Sequence, residues 1–276
     1  MQDFPPQIRD AAEAAEILAL AGRLADVARA ETLAQFRPMG GIAAETKLSE
    51  GFDPVTAADR AAEAAMRAMI EKARPQDGIY GEEYGVKTGT SGLTWVLDPI
   101  DGTRGYMSGT PTWGVLIALS AEGAVPGQPY LGIIDQPYIG ERFIGGFGLA
   151  QLSGPQGQGA LATRATRELS QATIFTTFPE VGTADEGAAF ARLSGQCRLT
   201  RYGMDCYAYA LLAAGQIDLV VEAGLQPYDI AAPIAVIEAA GGIVTDWQGN
   251  PASAGGQVLA AANPVLHRAA MDVLNG

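Results

Sequence analysis

Asp98-Pro99-Ile100-Asp101-Gly102-Thr103 follows directly on the apolar run Thr94-Trp95-Val96-Leu97, and the rest of the chain is read outward from it. The apolar run has the composition of a short strand. Pro99 stiffens the turn behind it, and Gly102 permits a close or unusual backbone path. Asp101-Gly102-Thr103 can open a helix whose free N–H groups would hold an anion. One turn then offers two carboxylates, a backbone carbonyl and an anion cradle. A lone Asp-Gly-Thr is common in turns. The hexapeptide gains weight because Gly81-Glu82-Glu83 lies just upstream, after a second strand-like run at Gly78 to Gly81.

Upstream, Gln7 to Phe36 reads as a long amphipathic helix with Ile17, Leu20, Leu24, Val27 and Leu33 at helical spacing. A second helix is expected over about Ala57 to Ala73, ended by Pro75. Downstream, Val115 to Ser120, Leu131 to Asp135 and Glu141 to Gly145 read as successive antiparallel strands with Gly and Pro turns between them. The Gly- and Gln-rich stretch Gly154 to Gly159 reads as a loose turn and the best place for a division. Two subdomains, 1–152 and 153–276, are therefore expected within one compact unit. The second half alternates strands (Ala172 to Phe178, Asp218 to Glu222, Ile243 to Asp246, Gln257 to Ala260) with helices (Asp185 to Ser194, Cys206 to Ala214, Tyr228 to Ala240, Pro264 to Leu274). Such alternation predicts an α/β protein, a layered α+β sandwich of sheets covered by helices.

Ligands of such sheets sit beyond the carboxyl ends of strands. Glu82 and Glu83, then Asp98 and Asp101, then Asp229 all fall at predicted strand ends or at the start of the helix that follows one. Gathered carboxylates repel one another unless cations or protons neutralise them. Hard oxygen donors with no His or Cys nearby select Mg²⁺, Mn²⁺ or Ca²⁺ over zinc. The alternative is that each acid is a solvated loop end or a helix cap.

Composition narrows the choices. The 276 residues carry 18 basic and 31 acidic side chains, for a net charge of −13, so no basic stripe is available for nucleic acid or an anionic membrane. The single histidine, His267, disfavours catalytic triads and multi-His metal sites. Cys197 and Cys206 match no disulfide framework or zinc spacing. No secretion signal or membrane span is visible in the sequence, and a cytoplasmic protein is expected.

With Asp53-Pro54-Val55-Thr56-Ala57-Ala58-Asp59 upstream and Tyr228-Asp229-Ile230-Ala231-Ala232 downstream, four ordered motifs resemble the inositol monophosphatase superfamily of Mg²⁺-dependent phosphatases. The resemblance covers about Lys47 to Trp247. It implies two or three Mg²⁺ ions (Mn²⁺ as a substitute) held by Glu82, Asp98, Asp101, Asp229 and the Ile100 carbonyl. It further implies phosphate contacts from the Gly102 and Thr103 N–H groups, water activation by Thr103 with Glu82, and support of a third ion by Asp59. Lys47 near that third ion, Asp53 as a ligand and a metal role for Glu83 each stand beside a purely structural alternative. Cys206 is expected to be buried and inert, and His267 to sit on the surface or in packing.

Arg201 to Gly215, with Gly203-Met204-Asp205-Cys206-Tyr207-Ala208-Tyr209 at its centre, is similar to the histidinol-phosphate phosphatase branch of that superfamily, as are Pro227-Tyr228-Asp229 and the Arg104 that follows Thr103. Met204 departs from the branch, which usually has a small residue there. The resemblance implies a small phosphorylated metabolite as partner, hydrolysis of L-histidinol phosphate in histidine biosynthesis, and a homodimer. Asp205 and Glu222 would recognise the ammonium and imidazole of that ester through charge-assisted hydrogen bonds, with Arg104 also at the substrate. Asp205 as the N-cap of the helix from Cys206 is the alternative. Rival activities are an inositol-1-phosphate or broad sugar-phosphate phosphatase, and a non-catalytic binder of metal or phosphate.

Overall fold

The computed structural model describes residues 4–46, 54–123 and 126–276. Lys47 and Asp53 lie outside the described residues. Helix α1 spans Ala11–Ala34, shorter at both ends than the apolar periodicity suggested. Asp10 sets its start by accepting from the Glu13 N–H at 2.9 Å. Its buried face is Ile17, Leu20, Ala21, Leu24, Ala25 and Ala28, whereas Leu33 is exposed. Strands β1 (Ala44–Thr46) and β2 (Pro54–Thr56) pair antiparallel and lead into α2 (Ala57–Ala73). A reciprocal cap between Thr56 and Asp59 opens α2.

The next strands are β3 (Gly78–Gly81), β4 (Gly85–Lys87) and β5 (Leu93–Asp101), followed by the short helix α3 (Thr103–Ser108). Then come β6 (Gly114–Ala121), β7 (Pro129–Gln136), β8 (Glu141–Gly146), β9 (Leu149–Gly154) and β10 (Gly157–Ala160). Together they form an eight-stranded sheet in the order β10-β9-β8-β7-β6-β5-β3-β4. All its neighbours are antiparallel except β3 and β5. The stretch read as a loose turn at Gly154 to Gly159 is the hairpin joining β9 to β10, so a division after residue 152 would fall inside β9. The chain leaves this sheet only after Ala160.

The remainder is β11 (Thr173–Thr176), α4 (Ala184–Ser194), β12 (Leu199–Tyr202), α5 (Cys206–Ala213), β13 (Leu219–Leu225), α6 (Pro227–Ala239), β14 (Ile243–Thr245), β15 (Gly256–Ala261) and α7 (Pro264–Leu274). Its five strands form a second, mixed sheet in the order β12-β11-β13-β15-β14.

Side-chain alternation along the strands stacks these elements into layers. Trp95, Leu97, Val115, Ile117, Leu119 and Ile133 pack under α1 and α2. Their neighbours Val96, Leu116, Ala118 and Ile134 point the other way, onto α5 and α6. Val220, Val258 and Ala260 of the second sheet close that middle helical layer from its far side, while Leu219, Val221 and Leu259 face α4 and α7. The order is helix, sheet, helix, sheet, helix. Both faces of β5 are covered, which is why Leu93 to Ile100 is buried throughout and shows no polar alternation. Arg29 from α1 and Arg142 from β8 both grip the buried Asp135 carboxylate of β7, at 2.7 and 2.6 Å. No helix among the described residues is long and apolar enough to cross a membrane.

Candidate active site

Asp98 and Asp101 are three residues apart on one strand, so regular pleating would point them to opposite faces. The pairing of β5 with β6 shifts register between these two residues. The irregularity turns both carboxylates toward one place, as bulges beside active sites do. The Ile100 N–H donates to Asp98 Oδ1 at 3.0 Å and fixes the turn. Gly102 then adopts a left-handed conformation, φ 83°, as the N-cap of α3. Asp229 arrives from the first turn of α6, where its Oδ2 accepts from the Gln226 N–H at 2.7 Å. Carboxylate oxygens of Asp98, Asp101 and Asp229 lie within 4.8 Å of one another.

These acids line a cavity of about 390 Å³ together with Glu82, Ile100, Gly102, Thr103, Arg104, Asp205 and Glu222. Asp59 stands behind the wall, buried, with Thr103 Oγ1 3.4 Å from its Oδ1. The Thr103 hydroxyl also donates to the Ile100 carbonyl at 3.0 Å. Ten residues named from the sequence therefore line one cavity at the ends of β3, β5 and β13, with Asp59 behind them; Glu83 does not line it, and Lys47 and Asp53 lie outside the described residues.

Electrostatics give the cluster its character. Burial pushes the Asp98 carboxyl well above the usual carboxylate range, and the charges of Glu82, Asp101 and Asp229 push it further. Asp101 is raised by burial, then by Asp205 and Asp229, against the Cys206 N–H that donates to its Oδ2 at 2.6 Å. Like charges this close, in a low dielectric, need protons or a cation between them. The donors are all oxygen, which fits a hard divalent ion and not zinc.

Asp205 does not cap α5 with its side chain. Asp101 takes the first N–H of that helix instead. Asp205 holds a strained backbone, φ 47° and ψ −140°, and its carboxyl lies over Gly102, where an added methyl would come within 2.8 Å. Burial raises its pKa to about 6, while Arg104 and Thr112 pull the other way. Glu222 is raised to about 7 by burial although it accepts from Thr176 Oγ1 at 3.1 Å and from Thr177 N and Oγ1 at 2.7 and 2.9 Å. Arg104 lies over the ring of Phe178 at the cavity rim, 5.0 Å from its centroid. His267 is a packing residue, its Nε2 2.7 Å from Thr245 Oγ1, and Cys206 is buried.

Glu63 did not emerge from the sequence. It is fully buried on α2 and accepts from the Glu83 N–H at 2.7 Å, the Tyr84 N–H at 3.2 Å and Arg67 Nε at 2.7 Å. It thereby fixes the turn that carries Glu82. Gly81 is required beside it, since a methyl there would come within 2.0 Å of Glu63 Oε1. The available signal was spacing: Asp59 and Glu63 fall on the same buried stripe of α2 as Ala62, Met66 and Ile70, and an acid on such a stripe needs a partner.

The sequence model of the Inositol monophosphatase family matches residues 13–275. The chain belongs to this family. Within it, the chain is 36% identical over 267 residues to a histidinol-phosphatase of Streptomyces coelicolor, covering 94% of this chain and 96% of that protein. It is 41% identical over 237 residues to the chloroplastic bifunctional phosphatase IMPL2 of Arabidopsis thaliana, 82% of this chain but only 66% of that protein's length. The solved structure of an inositol monophosphatase from Zymomonas mobilis superimposes with a TM-score of 0.82 at 40% identity, covering 97% of this chain and all of that one. The expected family and layered fold are thus both found, in a family of phosphatases of small phosphorylated molecules.

Proposed function

We propose that the chain is a Mg²⁺-dependent phosphomonoesterase that hydrolyses L-histidinol phosphate to L-histidinol and phosphate. Asp98, Asp101, Asp229, Glu82 and the Ile100 carbonyl would hold the metal. When bound, Mg²⁺ supplies positive charge against the phosphate dianion and lowers the pKa of coordinated water. Thr103 Oγ1 would accept a proton from the attacking water as its own hydroxyl hydrogen turns from the Ile100 carbonyl to Asp59 Oδ1, 3.4 Å away. Asp59 Oδ1 is the next acceptor along that path. The Gly102 and Thr103 N–H groups bind the phosphoryl oxygens. The unit comprises two subdomains, and we place their division after Ala160.

The observation that carries the substrate is Asp205 on the wall beside the metal cluster; Glu222 lies there too, but an acid at its place also suits a polyol hydroxyl and discriminates little. An ammonium and an imidazole N–H need anionic acceptors, whereas a neutral polyol needs none. The Streptomyces relative supports the same reading. The likeness to the Zymomonas enzyme favours inositol 1-phosphate as the second reading. Side-by-side kcat/KM values with Mg²⁺ decide between them: a preference of tenfold or more for histidinol phosphate is expected. A reversed preference selects the second reading, and no turnover of either ester selects a non-catalytic binder. Cytoplasmic location and a homodimer belong to the proposal, and sedimentation of the purified protein tests the latter.

A further inference from the structure

Tyr209 lies on α5 four residues after Asp205, on the same side of the helix, and it lines the cavity. It is 4% exposed. Its hydroxyl has no hydrogen-bond partner among the described residues. A buried phenol ordinarily finds a partner, and one left unpaired costs free energy. A phenol keeps its proton at neutral pH. The hydroxyl is therefore a donor waiting for an acceptor. No acceptor among the described residues comes within hydrogen-bond distance of it, the carboxylates of Glu222 and Asp101 included.

We propose that Tyr209 is a specificity-determining residue whose hydroxyl donates to an acceptor on the leaving group, the unprotonated ring nitrogen of an imidazole-bearing phosphate ester. The proposal deepens the histidinol phosphate reading and rests on it. Neutral imidazole carries one N–H donor and one bare nitrogen acceptor. Glu222 and Asp205 can only accept while ionised, and Tyr209 supplies the missing donor. A ring without nitrogen would leave Tyr209 unpaired, as it is in the free protein.

The test compares wild type with Tyr209→Phe on two esters, L-histidinol phosphate and L-phenylalaninol phosphate. The second keeps the ammonium and the phosphate and replaces imidazole with phenyl. The variant is expected to lose about tenfold or more in kcat/KM on the first ester, mostly through KM, and less than about twofold on the second. Its Tm without substrate should stay level or rise, because no bond of the free protein is removed. Equal losses on both esters, or no loss on the first, overturn the proposal. So does a Tm several degrees lower, which would give the hydroxyl a structural partner. A wild type that hydrolyses inositol 1-phosphate but not histidinol phosphate overturns the functional reading, and the acceptor with it, before any variant is compared.

Discussion

Asp98 shows how much one side chain can be asked to do. It is 2% exposed, its neighbours Glu82, Asp101 and Asp229 are all acidic, and one of its oxygens already holds the Ile100 N–H. Such a carboxylate is tolerable only as a cation ligand or as an acid. Asp98→Asn keeps the volume and removes the charge. It is expected to cut kcat by about 10³-fold or more at saturating Mg²⁺, since a bound metal contributes several kcal/mol and each tenfold is worth about 1.4 kcal/mol. Steady-state assays over a Mg²⁺ titration check this, and recovery of activity at high Mg²⁺ would remove Asp98 from the metal site. Asp205 is a different case, because it lines the cavity without belonging to the three-carboxylate cluster. Asp205→Ala should raise KM for an ammonium-bearing ester by about tenfold and leave KM for a neutral sugar phosphate within about twofold. Equal changes on both would make Asp205 a prop for Gly102 and not a substrate contact.

At the scale of elements, the turn after β3 depends on α2. Glu63 accepts two backbone N–H groups from that turn and pairs with Arg67, whose guanidinium also reaches the Gly85 carbonyl. Glu63→Gln should raise the Mg²⁺ concentration for half-maximal activity by about 10- to 100-fold, the usual effect of losing a residue that orients a ligand. Its kcat at saturating Mg²⁺ should change far less. Gly81→Ala alone should be severely destabilised by collision with Glu63, and Glu63→Ala should relieve part of that cost; thermal melts of the two single variants and the double variant measure the coupling. The same elements show what the sequence could reveal. The second helix, the last helix and the strands from Gly114 to Gly146 are legible because hydrophobic period, Pro and Gly agree there. The acids of the site are legible because they fall in four ordered motifs that resemble one family; carboxylates at strand ends alone could equally be loop ends or helix caps. Strands β4 and β12 and the β9–β10 hairpin are not legible, being short, polar or Gly-rich pieces at or next to a sheet edge, held by pairing to neighbours and not by their own pattern. Glu63 sits in a run that reads as ordinary helix, and only its tertiary partners mark it; Tyr209 closes a motif singled out in the sequence, but its unpaired hydroxyl shows only in the fold.

For the whole molecule, the packed acids tie stability to protons and metal. Asp59 and Asp205 rise from the ordinary carboxylate value to about 6, and Glu222 rises to about 7. Each folded-state pKa is above its unfolded value, so between roughly pH 4 and pH 7 the native state holds more protons than the unfolded chain. The stability this provides is complete below the unfolded pKa and is lost as pH rises through the folded one, by up to about 3 kcal/mol for each group. Asp98 and Asp101 shift in the same direction. The chelated protein should therefore melt at its highest temperature near pH 5 and at a progressively lower one toward pH 8. Mg²⁺ replaces those protons and binds only the folded site, so it stabilises by mass action. Its effect on Tm should be small at pH 5, where protons compete, and largest at pH 8. Differential scanning fluorimetry with EDTA or Mg²⁺ across this range measures both slopes. A chelated protein whose Tm climbs steadily from pH 5 to pH 8, with a Mg²⁺ increment independent of pH, would mean that the carboxylates are not held together in the folded state.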